Sequence, residues 1–331
     1  PQGWDCHGLP TEVAVEKELG VPRSEVPPSE FRRMCERLVE KYIQVMKDAI
    51  KRLGCSIDWT AEYRTMDPSY WRKTQLSFII LYKKGLIYRG VHPTNWCPRC
   101  ETAIADAEVE HVERAGKLNY IRFPLEGGGH VTIATTRPEL IPACVAVAVH
   151  PEDDRYRELV GRRVLTPIFG KPVEIVADRS VDPEFGTGVV MICTFGDKAD
   201  VEFVMRRGLP IVKCVDEKGR MTEAAGRYAG LTVEEARRRI VEDLREQRLL
   251  ERVETIEQDV GVCWRCKTPV EILVKRQWFM RILDLTDRVV EETMKVRWVP
   301  DHMKWRLIDW ARSLTWDWVI SRQRVFATPI P

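Results

Sequence analysis

The chain has 331 residues, 44% of them hydrophobic, with 52 basic and 50 acidic side chains and a net charge of +2. That length allows two or three domains with ordinary cores, and the near balance of charge gives no bulk signal for nucleic acid, although a locally basic face is compatible with it. No apolar run approaches the roughly 20 residues that span a bilayer, and Pro1-Gln2-Gly3-Trp4 has neither an initiator Met nor the basic-then-apolar layout of a signal peptide. The sequence therefore predicts a cytoplasmic protein without a membrane partner, whose true beginning lies upstream. Six of its ten cysteines (Cys6, Cys35, Cys55, Cys144, Cys193 and Cys214) are scattered singly, as suits a reducing compartment where lone thiols serve as small apolar groups.

In chain order, the first notable stretch is G-W-D-C-H-G-L-P at Gly3 to Pro10. Asp5 could hold a cationic amine with Trp4 walling a small pocket, and a structural turn bounded by Gly and Pro would read the same. A helix follows over Ser29 to Leu53, with Ser29 as N-cap after Pro27-Pro28 and with Phe31, Met34, Cys35, Leu38, Tyr42, Val45, Met46, Ala49 and Leu53 at three-and-four spacing. Gly54 supplies its stop. A second helix runs from Pro68 to Lys84 and closes at Gly85.

Beyond Gly116 the texture becomes β-rich. Strands are predicted at Leu118 to Leu125, His130 to Thr136, Cys144 to Val149, Val164 to Ile168, Val173 to Ala177 and Val189 to Thr194, separated by Gly, Pro and Asp signals. Within this region lie A-T-T-R-P-E at Ala134 to Glu139, G-T-G at Gly186 to Gly188, and Asp197 and Asp200 at the start of a helix over Lys198 to Arg207. Asp197 and Asp200 share a helix face, so they serve either a ligand or, for Asp197, a simple N-cap. The glycines allow close approach of a ligand or a tight turn. The charged stretch Thr232 to Gln247 reads as a helix with a solvated face. The last segment is rich in Trp and contains W-D-W-V-I-S-R-Q-R at Trp316 to Arg324, either a surface that stacks and ion-pairs with a polar ligand or a buried strand edged by charge.

Two short motifs frame the β-rich region: C-P-R-C at Cys97 and Cys100, and C-W-R-C at Cys263 and Cys266. Each offers two thiols and a tetrahedral Zn²⁺ needs four, so convergence of the pairs would make the intervening chain leave one point and return to it, as an inserted domain does. The alternative is two separate redox or incidental motifs. Both pairs carry Arg before the second Cys and Thr two residues after it, which a repeated turn around a shared metal explains better. The borders fall near 116 and 255, giving segments 1–115, 116–255 and 256–331.

Taken together, G-W-D-C-H-G-L-P-T-E, T-N-W-C-P-R-C-E-T-A-I-A-D-A-E-V-E, A-T-T-R-P-E-L, F-G-T-G-V-V-M-I-C-T-F-G-D-K-A-D, Q-W-F-M-R-I and D-W-V-I-S-R-Q-R resemble the class I aminoacyl-tRNA synthetases of the branched-aliphatic group, most of all the valyl enzymes of archaeal type. The isoleucyl enzymes share the opening and the I-S-R-Q-R stretch and are the alternative. Their counterpart of Thr136-Arg137-Pro138-Glu139 usually reads Thr-Pro-Trp-Thr, which favours valine. The leucyl enzymes are more distant.

The resemblance implies an α/β protein: a partial Rossmann-type catalytic domain with an inserted β-rich, β-barrel-like editing domain. It implies a monomer that acts on valine, threonine and tRNA(Val), with structural Zn²⁺ and, in the full-length enzyme, ATP and Mg²⁺. It puts Asp5 on the α-amino group of valine and Trp278 and Trp318 in the wall of the valyl-adenylate pocket. In the insert, Thr135, Thr136 and Arg137 line one side of an editing pocket and Asp197 and Asp200 the other, Asp200 on the α-amino group of a threonyl ester and Asp197 on its hydroxyl. An editing site answers a physical need, since a hydrophobic pocket discriminates weakly against an isostere that only adds a hydroxyl, and threonine against valine in the valyl enzymes is the known instance. Two departures stand out. Bacterial relatives often carry Lys where this chain has Met191, and the His-x-Gly-His and Lys-Met-Ser-Lys-Ser signatures that bind ATP are absent. The chain is therefore expected to be a fragment that edits without aminoacylating, with a zinc-stabilised tRNA-binding module lacking turnover as the rival.

Overall fold

A computed structural model describes residues 1–314 and 316–331. The chain divides into two compact units, Pro1–His92 together with Arg276–Pro331, and Pro93–Lys275. Among the described residues no helix is long and apolar enough to cross a membrane.

The first unit opens with β1 (Gly3–Trp4), α1 (Leu9–Leu19), α2 (Pro28–Arg52), β2 (Tyr63–Arg64) and α3 (Pro68–Lys83). The strands β1 and β2 pair in parallel. The start of α2 differs from the expected Ser29 cap: Pro27 is the N-cap and Pro28 the first helical residue. Proline is preorganised there, because its fixed φ is helical and its missing N–H would have had no partner. Phe31, Cys35, Leu38, Val39 and Ile43 of α2 are buried with Trp4, Cys6, Val15 and Phe326, whereas Tyr42, Val45, Met46 and Leu53 remain exposed. Gly54, at φ 73°, follows the helix where the sequence placed its stop.

Strand β3 (Ile87–Cys97) carries the chain into the second unit. There β3 forms a hairpin with β4 (Thr102–Ile104). The long strand β5 (Val109–Pro124) and β6 (His130–Thr135) follow, then β7 (Cys144–Val149), β8 (Arg163–Leu165), β9 (Pro172–Ala177), β10 (Val189–Cys193), α4 (Lys198–Arg207), α5 (Val233–Glu246) and β11 (Leu250–Cys263). One sheet has the order β10-β7-β9-β8 and another β11-β5-β6. Their shared core holds Ile121, Phe123, Ile133, Ile141, Val147 and Ile175 with Ile240 and Leu244 of α5. Thr232 and Glu235 close a reciprocal capping box at the start of α5, the bonding pattern that Thr-x-x-Glu favours.

Three expectations are corrected here. Among the described residues none of the sheets closes into a barrel. At the potential seams the bridge Leu125–Val164, the bond from Glu126 N to the Arg163 carbonyl (2.9 Å) and the bond from Thr187 Oγ1 to the Thr132 carbonyl (2.7 Å) stand in place of a ladder. The predicted strand at Val164 to Ile168 stops at Leu165, because Ile168 takes φ 67° in a turn closed by Gly170 N–H to Thr166 O at 2.8 Å. β5 begins at Val109, well before the expected Leu118, because β11 pairs with it from Cys263↔Val109 onward and so extends a stretch without an apolar run of its own.

Strand β12 (Glu271–Met280) returns the chain to the first unit, which ends with α6 (Thr286–Lys295), α7 (Lys304–Ser313) and β13 (Trp318–Val319). β13 pairs antiparallel with β12, matching Met280 with Trp318. The buried Glu12 of α1 binds the segment beyond β13: Oε1 accepts from Val325 N and Phe326 N, both at 2.8 Å, and Oε2 accepts from Arg23 and Arg324 at 2.9 and 3.0 Å. The I-S-R-Q-R stretch is thus fixed by a buried carboxylate rather than displayed as a free basic surface.

The G-T-G turn serves packing. Gly186 has φ 61°, and a Cβ there would lie 2.6 Å from Ala134 Cβ. Gly208, at φ 60°, has open space in the same direction. Gly186→Ala should destabilise the protein by about 1–3 kcal/mol and by clearly more than Gly208→Ala, which carries only the conformational cost. Denaturation midpoints of the two variants check this.

Candidate functional site

The two cysteine motifs form one cluster. The sulfurs of Cys97, Cys100, Cys263 and Cys266 all lie within 4.8 Å of one another, with Cys97 and Cys266 at 3.4 Å and no disulfide among them. Sulfurs bound tetrahedrally at the Zn–S length of 2.3 Å would stand about 3.8 Å apart, so the four fit a single thiolate-bound metal ion. The repeated sequence has a geometric cause. The residue after the second Cys is left-handed in both turns, Glu101 at φ 48° and Lys267 at φ 59°. The following Thr pairs back to the first Cys, Thr102 with Cys97 in the β3–β4 ladder and Thr268 O with Cys263 N at 2.8 Å.

The second constellation is built on the turn after β6. Thr135 Oγ1 accepts from Arg137 N at 3.0 Å and so fixes the backbone at the entry to the buried 3-10 segment Pro138–Ala143. The Arg137 guanidinium then reaches three acceptors: Nε donates to Glu139 Oε1 at 3.0 Å, Nη1 to Gly196 O at 3.1 Å, and Nη2 to Glu271 Oε2 at 2.8 Å. Glu139 is fully buried and takes a two-pronged contact from Arg237 of α5, with both bonds at 2.8 Å. The result is an alternating chain, Arg237–Glu139–Arg137–Glu271. Burial opposes ionisation of Glu139, but Arg237 and Arg137 outweigh it and hold the carboxyl below its usual range. Burial also disfavours the Arg137 cation, and Glu271 and Glu139 more than offset that.

Asp197 and Asp200 meet this chain at Gly196. Asp197 is exposed and its Oδ1 accepts from Asp200 N at 2.8 Å, the N-cap that its position allowed. Asp200 Oδ2 accepts from Cys193 N at 3.2 Å and occupies space that a side chain at 196 would claim, since a Cβ on Gly196 would lie 2.3 Å from that oxygen. Burial, reinforced by the Asp197 charge, pushes the Asp200 carboxyl up to about 8. Thr135, Arg137, Asp197 and Asp200 are therefore brought together, and Thr136 is half-buried beside them in sequence.

A cavity of about 210 Å³ in this unit is lined by Leu140, Phe195, Val212, Cys214 and Leu273 together with Glu271. Its wall includes neither Arg137 nor the two aspartates. Glu271 and Arg237 carried no assignment from sequence, and Glu139 appeared only as part of a motif. Arg237 lay in a helix read as solvated, yet its guanidinium is bound to a buried carboxylate. Their separations from their partners, 134 residues for Glu271 to Arg137 and 98 for Arg237 to Glu139, leave no local pattern to find.

In the first unit, Asp5 is exposed and accepts from Thr65 Oγ1 at 3.4 Å. Trp4, which the sequence left open between a pocket wall and a structural turn, is buried in the core, and its indole N–H donates to Glu62 at 3.1 Å. Trp278 packs edge-on against Phe78 with ring centres 5.1 Å apart, and Trp318 meets Trp310 at 6.2 Å. Trp278 is tied through its backbone to Ser321 and Ile320, both at 2.9 Å.

The whole chain, residues 1–331, matches the family described as tRNA synthetases class I (I, L, M and V). It is 58% identical over 332 residues to the valine-tRNA ligase of Methanothermobacter thermautotrophicus, 57% to that of Methanocaldococcus jannaschii and 54% to that of Archaeoglobus fulgidus. Each alignment covers 100% of this chain and 38% of the relative, so the chain spans well under half the length of these proteins. A solved structure, the ternary complex of Agrobacterium radiobacter K84 agnB2 LeuRS with tRNA and LeuAMS, aligns with TM-score 0.34 at 22% identity, over 78% of this chain and 39% of that one.

The raised Asp200 carboxyl has a stability consequence. Its folded pKa, about 8, lies above the ordinary 3.8, so the native state holds a proton that the unfolded chain releases between about pH 4 and 8. The contribution to stability is present below pH 4 and is lost as pH rises toward 8, by at most about 1.4 kcal/mol per pH unit. Asp200→Asn should remove that loss, so the stability gap between variant and wild type should widen in favour of the variant from pH 5 to 8. Urea midpoints across the range measure it.

Proposed function

The chain belongs to the class I tRNA synthetases (I, L, M and V), and on that premise we propose that it is part of a valine-tRNA ligase whose Pro93–Lys275 unit removes threonine from mischarged tRNA(Val). The names and identities of its relatives favour valine over isoleucine. The longer enzyme would activate valine with ATP and Mg²⁺ and esterify tRNA(Val). The unit formed by Pro1–His92 and Arg276–Pro331 then belongs to its Rossmann-type synthetic domain, with Asp5 taking the α-ammonium of valine and Trp278 and Trp318 walling the pocket.

One observation carries the deacylase assignment: a largely buried carboxyl, Asp200, held beside an Arg137 that is itself fixed by two buried carboxylates. The chemistry asked of the site is modest. An aminoacyl ester is already activated, so orientation of the ester and of one water suffices without a covalent nucleophile. In this reading Asp200 binds the α-ammonium of the threonyl ester, and the arriving cation draws its proton off. Asp197 gives one oxygen to the helix cap and the other to the threonine hydroxyl. Valine, with a methyl in that place, could not repay the desolvation of such a group. Arg137 and the Thr135 to Thr136 turn present the remaining polar wall.

The four cysteines would hold a structural Zn²⁺, which joins the two ends of the insert and has no part in hydrolysis. Incubation with Thr-tRNA(Val) and Val-tRNA(Val) should show selective loss of threonine, and Asp200→Ala should slow it by about 10- to 100-fold, the worth of one charged hydrogen bond. Equal rates for wild type and variant would remove Asp200 from the site, and tight tRNA binding without any turnover would favour a binding module. Metal analysis should find about one zinc per chain, and Cys266→Ser should lose the metal and lower the melting temperature together.

A further inference from the structure

The buried chain around Arg137 draws its two anions from distant parts of the sequence. Glu139 lies two residues after Arg137 on the buried 3-10 segment, but it is already engaged by Arg237 in a two-pronged contact. Glu271, 8% exposed, opens β12 just beyond the second cysteine turn. The backbone leading to it is hydrogen-bonded along β11: Cys263 N to Thr268 O at 2.8 Å, the Val262–Pro269 bridge, and Val270 N to Gly261 O at 3.0 Å. Glu271 thus arrives at Arg137 on a rigid support. Without it one carboxylate would face two part-exposed guanidiniums, and Arg137, short of one anion, would turn toward solvent or lose its geometry. The Nη1 bond to Gly196 O holds Arg137 against the backbone that seats Asp200, so a displaced guanidinium would disturb both.

We propose that Glu271 is a positioning residue of the candidate deacylase site, acting on substrate only through Arg137, so that the site is completed by the strand that returns from the cysteine cluster. This rests on the deacylase assignment above. Asp200 faces Asp197 from its own turn, Arg137 from the segment after β6 and the Cys193 thiol from β10, so its titration reports the charge balance around Arg137.

The test measures steady-state hydrolysis of Thr-tRNA(Val) by the chain, with carbon-detected NMR titration of the Asp200 carboxyl, in wild type, Glu271→Gln and Glu271→Asp. Glu271→Gln keeps the shape and removes the anion. Its kcat should fall on the order of tenfold with KM within about twofold, and the Asp200 midpoint should move to higher pH because a displaced Arg137 no longer lowers it. Glu271→Asp restores the charge on a shorter arm, so its Asp200 midpoint and its kcat should both lie between the two. It decides the matter if the Gln variant does not fold, wild-type kcat then overturning the proposal. In Glu271→Gln, unchanged kcat overturns it, and so does a lower kcat with an unmoved Asp200 titration, the mark of a merely structural role. Absence of hydrolysis by the wild-type chain sinks the deacylase assignment itself and needs no variant to be recognised.

Discussion

The second unit depends on one guanidinium, that of Arg137, held between two buried carboxylates. Four elements meet there: the segment after β6 brings Arg137 and Glu139, α5 brings Arg237, β12 brings Glu271, and the turn before α4 brings the Gly196 carbonyl. Each charge taken from water costs several kcal/mol, and mutual attraction repays that only with good geometry and satisfied hydrogen bonds. With two cations and two anions in alternation the chain balances, and loss of any member leaves a partner uncompensated. The packing of these elements is therefore specified by direction as well as by apolar area, which hydrophobic contact alone does not supply. Asp200, seated against the same Gly196, inherits that specification.

How much of this was legible in the sequence follows from the range of the forces involved. Several local signals held: Asp197 capped α4, Gly54 followed α2, and the doubled C-x-R-C-x-T gave two matching turns, whereas the cap expected at Ser29 fell at Pro27. Convergence of the two cysteine pairs was legible because each pair is incomplete alone, and the structure brings their sulfurs together. Long-range partners were not. Glu271 and Arg237 carry no spacing that distinguishes them from surface charges, and Arg237 sits on a helix most of whose other charges are solvated. The polar first half of β5 is a strand because β11 lies along it, so its own sequence has no period to read. The barrel expected of the insert reflects the same limit, since closure depends on edge pairing that individual strands do not encode.

The first unit repeats the lesson on a smaller scale. The stretch W-D-W-V-I-S-R-Q-R offers aromatic and cationic side chains as if for a ligand, yet its Arg324 and the backbone beyond are committed to the buried carboxylate of Glu12. A carboxyl with four donors is both an anchor and a constraint: the chain past β13 can take few paths once Glu12 is buried against it. The shared residues of the family and the 58% identity to a valine-tRNA ligase extend over this segment as well as over the β-rich unit.

The order of the cysteines along the chain bears on how the protein is made. Cys97 and Cys100 are synthesised before any part of β5 to β11, while Cys263 and Cys266 follow all of it. Four sulfurs cannot converge until the last pair has left the ribosome, an interval on the order of ten seconds at about 5–20 residues per second. During that time the first pair has only two donors. Because β11 ends at Cys263, the strand that completes the β5 ladder and the second pair arrive together, and a metal ion would meet a complete donor set only once the whole β-rich unit has been synthesised.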